Sequence, residues 1–290
     1  MTANHPRLSG KWMPVPLGLL MLAVTFIGAG LLTFAAENKQ AEPNQPKQKQ
    51  KAAKQKDKKP PRPDHSHPAF TQRTKERNRL VKRWIKGHGV RDPNVLTAMR
   101  TVPRHEFVRP ADSRRAYADQ PIPIGLGQTI SQPYIVAYMT ESLKLRPDHK
   151  VLEVGTGSGY QAAVCAELAQ EVYTIEIIED LATSAKQRLK ELGYANVSVK
   201  AADGYFGWPE HAPFDAVIVT CAAGFVPPPL IEQLKPNGRM IIPLGSPFGS
   251  QTLVLVTKDD EGNVRSKSVM PVRFVPMTGR MLEPEPTPKK

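Results

Sequence analysis

The chain of 290 residues carries 40 Lys and Arg against 27 Asp and Glu, a net charge of +13, and only two cysteines. The excess is local: residues 37–91 hold 17 basic and 5 acidic side chains, whereas residues 92–290 sum to −1, a stretch with no basic footprint for nucleic acid. Cys165 and Cys221 fit neither a metal-ligand spacing nor a disulfide framework and read as two buried thiols.

In chain order, residues 1–36 are an N-terminal membrane anchor or signal segment. Val15 to Ala36 is free of charge and follows Arg7 and Lys11, and its 22 residues exceed the roughly 20 needed to cross a bilayer. It is longer than the roughly 7–15 residues of an ordinary signal-peptide core, which favours an uncleaved anchor. Lys39, Lys47, Lys49, Lys51, Lys54 and Lys56 follow it and favour a cytoplasmic catalytic domain. The alternative is export to the periplasm by a signal peptide, with Thr33 and Ala35 at a cleavage spacing. Residues 37–70, rich in Lys, Gln and Pro, have almost no large apolar side chain and read as a disordered tether. His65 and His67 lack further ligands in sequence, so no metal site is expected there.

The globular domain is expected over residues 71–290, with helices and a substrate loop over 71–145 and a ligand-binding sheet over 146–280. Leu80, Val81, Trp84 and Ile85 share one face of a first helix, which Gly87 is placed to stop. Asp92-Pro93 caps a second helix carrying Val95, Leu96 and Met99. A long loop, Tyr117 to Tyr134, then precedes a helix over 135–143, and ordered loops of that length are often functional. Val151 to Val154 reads as a strand breaking into Gly155-Thr156-Gly157-Ser158-Gly159 and then into a helix. Tyr160 stands where a dinucleotide fingerprint requires its last glycine, which disfavours NAD and FAD. Glu171 to Glu176 is a second strand, and it delivers a carboxylate suited to a ribose diol 17 residues after Gly159. Asp180 to Leu192 is a helix ended by Gly193; a strand over 196–200 leads to Asp203-Gly204, and a further one runs from Phe214 to Thr220. A short helix from Pro229 to Leu234, a strand over 239–244, and two strands over 251–257 and 266–275 joined by Asp260-Glu261-Gly262-Asn263 complete the chain. This alternation predicts an α/β fold, a doubly wound Rossmann-like, mostly parallel sheet with antiparallel C-terminal strands. Ligands of such sheets bind at the carboxyl ends of the strands, where the glycines, Glu176, Asp203-Gly204 and Thr220 all fall.

With Glu153 two residues before its first glycine, the Gly155–Gly159 turn resembles motif I of the class I S-adenosylmethionine (SAM) methyltransferases. The run from Gly127 to Ala137, followed by Gly155 to Ala163, resembles the protein-L-isoaspartate O-methyltransferases. That resemblance covers about residues 75–280 and includes Val102-Pro103-Arg104, Tyr117-Ala118-Asp119, Ala212 to Ala216 and Arg273 to Pro276. Ala202 replaces the family's usual glycine before Asp203-Gly204, and the anchor and tether have no counterpart in the typical enzyme. The resemblance implies SAM as methyl donor, no metal, and methyl esterification of L-isoaspartyl and D-aspartyl carboxylates in damaged proteins, with no nucleic-acid partner. It assigns Glu153, Gly155, Thr156, Gly157, Gly159, Glu176, Asp203, Gly204 and Thr220 to the cofactor, with Asp203 on the adenine amino group. Ser131 and Thr129 become catalytic, and Gln128, Ile130 and Tyr134 touch substrate. Read from the residues alone, Ser131 also suits a helix N-cap, Asp203 an Asp-Gly turn and Thr220 a cap. Two other functions fit the same motifs: a SAM enzyme acting on another carboxylate or on nucleic acid, and an inactive SAM-fold binding protein.

Overall fold

The computed structural model describes residues 61–246 and 249–282, so the expected membrane segment and most of the tether lie outside the described residues. Packing begins at Arg62, whose guanidinium donates to the carbonyls of Ala169 and Pro147. The Asp64 N–H donates to the Gly193 carbonyl at 3.0 Å, His65 pairs with Glu167 at 2.9 Å, and Ala69 and Phe70 are buried. The tether expected to run through residue 70 therefore gives way earlier to the folded body. Composition averaged over 37–70 hides the two apolar residues that dock. His67 accepts the Ala69 N–H at 3.2 Å. Among the described residues no group of three or more potential metal ligands gathers, and no helix is long and apolar enough to cross a membrane.

Helix α1 (Thr74–Leu80) runs into a wider turn over Val81–Ile85, with the Lys86 N–H reaching back five residues to the Val81 carbonyl at 2.8 Å. The extra residue in that turn shifts the helical phase, so Trp84 is 37% exposed while Leu80, Val81 and Ile85 are buried as expected. The chain reverses at Gly89, with φ 110°, rather than at Gly87. Residues 61–91, with 9 basic and 2 acidic side chains, belong to this body, so the basic excess is not confined to the tether and the charge argument against nucleic acid weakens. Helix α2 (Pro93–Thr101) is capped by Asp92, whose Oδ1 accepts the Asn94 and Val95 N–H groups, and it buries Val95, Leu96, Ala98 and Met99.

Strands β1 (Ile122–Gly125) and β2 (Gln128–Ile130) form a small antiparallel ladder, closed by Gly125, Leu126 and Gly127 at φ 102°, 50° and 73°. Helix α3 (Pro133–Leu143) follows after two residues. The main sheet contains β3 (Lys150–Val154), β4 (Glu171–Glu176), β5 (Val197–Ala201), β6 (Phe214–Val219), β7 (Leu234–Gly245), β8 (Gln251–Lys258) and β9 (Val264–Val272). Its order is β5-β4-β3-β6-β7-β8-β9, parallel from β5 to β7 and antiparallel over β8 and β9, the α/β architecture the pattern predicts. Helices α4 (Tyr160–Ala166), α5 (Glu179–Glu191) and α6 (Pro228–Glu232) make the crossovers. Helix α6 stops short of Leu234, which opens β7 opposite Phe214 before an irregular step, with Asn237 at φ 61°, restores pairing at Arg239. β9 ends at Val272 because the following residues leave the sheet to bridge Ala222.

Successive side chains of a strand point to opposite faces, and the buried residues sort accordingly. Val151, Val172, Ala216, Ile218 and Ile241 pack with α2, α3 and α4 on one face. Leu152, Val154, Ile175, Val217, Val219 and Met240 form the core of the other. Burying an aliphatic side chain of this size contributes about 1.5–3 kcal/mol. β3, with Val151 and Leu152 fully buried, is thereby locked between β4 and β6.

Candidate active site

The chain leaves β3 toward β4 on one side and lies beside β6 on the other, so the end of β3 is the switch point at which such sheets bind ligands. Gly155, Gly157 and Gly159 have φ of 98°, 52° and 90°. A Cβ on Gly155 would run into the Thr220 hydroxyl, which explains why only glycine closes the turn against the end of β6. The N–H groups of Gly155 and Thr156 donate to the Ile175 carbonyl at 2.8 and 3.2 Å, and the Thr156 hydroxyl lies 2.6 Å from that of Thr174. Above this turn opens a cleft of about 800 Å³. Its walls come from the glycine turn, from Tyr160 and Gln161 of α4, from Glu176 to Ile178, from Gly204, Thr220 and Cys221, from Gln128 to Ser131, and from Val275 to Thr278.

Two carboxyl groups face this cleft in different electrostatic settings. Glu176 accepts the Gly157 N–H at 2.8 Å on one oxygen and the Ile178 N–H at 3.0 Å on the other, and each oxygen keeps a further lone pair. Glu153 is fully buried on the cleft floor, and neither of its oxygens has a hydrogen-bond partner among the described residues. Burial pushes its carboxyl up to about 8; the nearby Thr174 hydroxyl opposes the rise, and the neighbouring Glu176 charge adds to it. An orphaned acid below a glycine turn is unfavourable by itself and well suited to a ligand with a cationic group.

Other residues expected at the cofactor are distributed unevenly. Gly204 lines the cleft, and a Cβ there would strike Val154. Asp203 is not among the lining residues; one oxygen accepts the Tyr205 N–H at 2.9 Å, the local contact of an Asp-Gly turn, and the other ties the turn to the C-terminal segment through the Arg280 N–H at 2.7 Å. Gly159 stays outside too, packed so that a Cβ would press on Leu189. The Thr220 hydroxyl lines the cleft but is directed at the Gly155 and Val154 carbonyls, at 2.6 and 3.0 Å. Cys165 is buried, its thiol pushed up to about 12 by burial, whereas Cys221 is half-buried and borders the cleft, so the second thiol is not sequestered as expected.

On the opposite wall, the hydroxyls of Thr129 and Ser131 have no protein partner among the described residues. Gln132, not Ser131, is the N-cap of α3, and it makes no capping bond of its own. Asp119 supplies that function from the preceding loop: one oxygen accepts the Tyr134 N–H at 2.8 Å and the other the Gln132 side-chain amide at 2.8 Å. A second cleft of about 720 Å³, lined by Pro121, Gln132, Ile135 and residues 271–275, shares Thr129, Ser131, Thr220 and Val275 with the first. Gln128 and Ile130 face only the first cleft, on the cofactor side. Tyr134 lines neither; its ring sits 5.5 Å from His88 and 6.0 Å from Tyr138, because the α3 register turns it toward the turn that carries His88. Asp119, Gln161, Ile177 and the 275–278 segment were not singled out individually from the sequence. Asp119 and Val275-Pro276 fall within runs that carry the family resemblance.

A glycine turn on the central parallel strand, an acid at the end of the next strand and a third wall from the Asp203-Gly204 turn define a class I SAM-dependent methyltransferase, and this chain is one. A model described as protein-L-isoaspartate(D-aspartate) O-methyltransferase matches residues 75–282. The chain belongs to that family. A protein-L-isoaspartate O-methyltransferase 2 of Syntrophobacter fumaroxidans is 61% identical over 188 residues, 65% of this chain and 76% of the relative. A protein-L-isoaspartate O-methyltransferase of Opitutus terrae is 56% identical over 73% of this chain and 91% of its own. A solved structure described as a protein-L-isoaspartate O-methyltransferase matches with TM-score 0.65 and 30% identity, covering 71% of this chain and 67% of that one. A putative enzyme of the same kind from Plasmodium falciparum, solved in complex with S-adenosyl-L-homocysteine, shares the fold at TM-score 0.60 and 24% identity, over 70% of this chain and 98% of that one.

Proposed function

We propose that this chain esterifies the free α-carboxylate of L-isoaspartyl residues, and D-aspartyl carboxylates more weakly, in damaged proteins. The observation that carries this reading is the meeting of the two clefts at Thr129, Ser131, Thr220 and Val275. An acceptor group in the second cleft therefore meets the first beside the Thr129 and Ser131 hydroxyls. Among its described lining residues the second cleft contains Arg273 and no carboxylate, which suits an anionic acceptor.

Glu153, Glu176 and the glycine turn would hold SAM, the orphaned Glu153 taking its cationic amino group and Glu176 its ribose hydroxyls. Bound SAM supplies an electrophilic methyl on a sulfonium. A carboxylate acceptor is ionised far below neutral pH, so the protein needs no strong base and its work is positioning. Thr129 and Ser131 have uncommitted hydroxyls that can orient the acceptor oxygen without the full positive charge that would quench its nucleophilicity. The apolar walls around them, Ile130, Val136 and Ile135, displace water from the nucleophile. The resulting ester would close to a succinimide, whose hydrolysis partly restores normal aspartate.

The test is radiolabelled methyl transfer from SAM to an isoaspartyl peptide beside its aspartyl twin. Transfer to both peptides alike, or to neither, would overturn this reading. The uncharged run at 15–36 further supports an N-terminal anchor with the catalytic body in the cytoplasm. Membrane sedimentation of the full chain, with the tether resisting protease added to intact cells, is the expected outcome; a mature form beginning near Ala36 outside the cytoplasm would refute it.

A further inference from the structure

The wall between the two clefts is carried by very little chain. Only Ser131 and Gln132 separate β2 from α3, and neither the Ser131 hydroxyl nor that of Thr129 is tied to any of the described residues. Pro133 has no N–H to give, so the first N–H of α3 available for capping is that of Tyr134. Asp119 takes it at 2.8 Å, and with its second oxygen takes the Gln132 amide at 2.8 Å. One side chain thus grips the residues on both sides of Pro133, immediately after Ser131. The loop bearing Asp119 is itself held by Arg104, which is fully buried and donates to the carbonyls of Ala116 at 2.9 Å and Gln120 at 3.4 Å. The same guanidinium lies 4.8 Å from the ring of Tyr160, the residue that follows the glycine turn and lines the first cleft. Arg104 and Asp119 therefore link the cofactor turn to the wall that carries Ser131.

We infer that Asp119 is a positioning residue for the methyl acceptor: its two-oxygen grip on Gln132 and Tyr134 sets Ser131 and Thr129 in register with the cofactor cleft. This rests on the acceptor reading given above. The grip costs little to maintain, because a carboxylate at a helix N-terminus is favoured by the helix dipole and both bonds are charge-assisted. Its loss would leave SAM binding intact and displace the acceptor side, where a shift of about 1 Å can cost as much as 100-fold in rate.

The experiment compares full-length wild type with Asp119→Ala, Asp119→Asn and Gln132→Ala. Asp119→Asn keeps an oxygen for the Tyr134 N–H, and a turned Gln132 amide can present its carbonyl to the new NH2 group, so this variant rebuilds the grip without the charge. Single-turnover methyl transfer to an isoaspartyl peptide is expected to fall about 10- to 100-fold in Asp119→Ala and to recover to within about 3-fold of wild type in Asp119→Asn. The dissociation constant for SAM should stay within about 2-fold in both, and hydrogen exchange over residues 128–136 should accelerate in Asp119→Ala but not over β3. Gln132→Ala should fall between the two. A merely structural cap predicts a lower melting temperature with single-turnover rates per folded molecule unchanged, and that result overturns the proposal. So does an Asp119→Asn as slow as Asp119→Ala, or a parallel loss of SAM affinity. Should wild type transfer no methyl to the peptide, the isoaspartyl reading falls by itself; unchanged exchange over 128–136 in Asp119→Ala would separately refute the grip.

Discussion

Replacing Glu153 with Gln should change how stability depends on pH, in a direction the burial of this side chain dictates. The Glu153 carboxyl titrates near 8 in the folded protein against an ordinary value of 4.5. Between those values the folded chain holds a proton that the unfolded chain has released. The unfolded state binds fewer protons there, so stability falls as pH rises from 4.5 and levels off above 8. At about 1.36 kcal/mol per pH unit, the wild type without SAM should lose roughly 3 kcal/mol between pH 5 and 7.5 on account of this one group. Gln has the same shape and no proton to lose, and the cost of its own unpaired amide is independent of pH. His105, His149 and His211 are pushed down by burial and impose a slope of opposite sign, with stability rising as pH passes from their folded values toward 6.5. They are common to both proteins and cancel in the difference. Urea unfolding at half-unit steps from pH 5 to 7.5 should therefore give a Gln-minus-wild-type difference that moves in favour of Gln by about 3 kcal/mol. A difference constant within about 0.5 kcal/mol would mean that Glu153 is already ionised in the folded state, and the reasoning would fail. If SAM presents a cation to this carboxyl, its binding near pH 7 should release about one proton, measurable by calorimetry in buffers of different ionisation enthalpy.

Three further outcomes follow from the site. Ser131→Ala should slow single-turnover methyl transfer 10- to 100-fold, about 1.4–2.7 kcal/mol, without moving the melting temperature, since the hydroxyl bonds nothing among the described residues; a lower melting point with full turnover would assign it to structure. Glu176→Ala should weaken SAM binding by roughly 2–3 kcal/mol by calorimetry, and should also loosen the glycine turn it braces through Gly157 and Ile178; unchanged affinity would remove it from the cofactor site. Leu126→Asn, at an exposed position with φ 50°, should raise stability by about 0.5–1 kcal/mol because Asn tolerates the left-handed region better than Leu; a drop in melting temperature would show that the Leu126 side chain contributes contacts of its own.

The part of this protein most readable in its sequence is the part whose chemistry is local. A strand, a turn that only glycine can make, and a helix announce themselves within a dozen residues, and Glu176 follows at the end of the next strand. Sites made by distant residues left weaker traces. Asp119 looks like one polar residue in a loop, and its grip on Tyr134 depends on a closure spanning 15 residues. Tyr134 sits beside the acceptor motif in sequence yet faces His88, because helical phase and not adjacency decides where a side chain points. Nothing in the local pattern marks Arg77 or Arg104 for burial, yet both are buried with carbonyls as partners, Ala69 for one and Ala116 for the other. A regular helical period puts Trp84 inside, and the five-residue turn at Val81–Ile85 interrupts that period. Such departures need the tertiary structure, since each comes from a competition that local pattern does not encode.

The docking of Arg62 also defines a load path. Its guanidinium holds the carbonyls of Pro147 and Ala169, which immediately precede β3 and β4, whereas the cleft lies past the far ends of those strands. The five residues of β3 separate the two by about 15 Å at 3.3 Å per residue. Any tension arriving from the N-terminal side enters at the foot of the sheet and is shared by Gly193 and Glu167 through Asp64 and His65. The strands stand between that point and the reactive end. A pull on Arg62 would therefore have to pass along β3 and β4 before it reached the cleft.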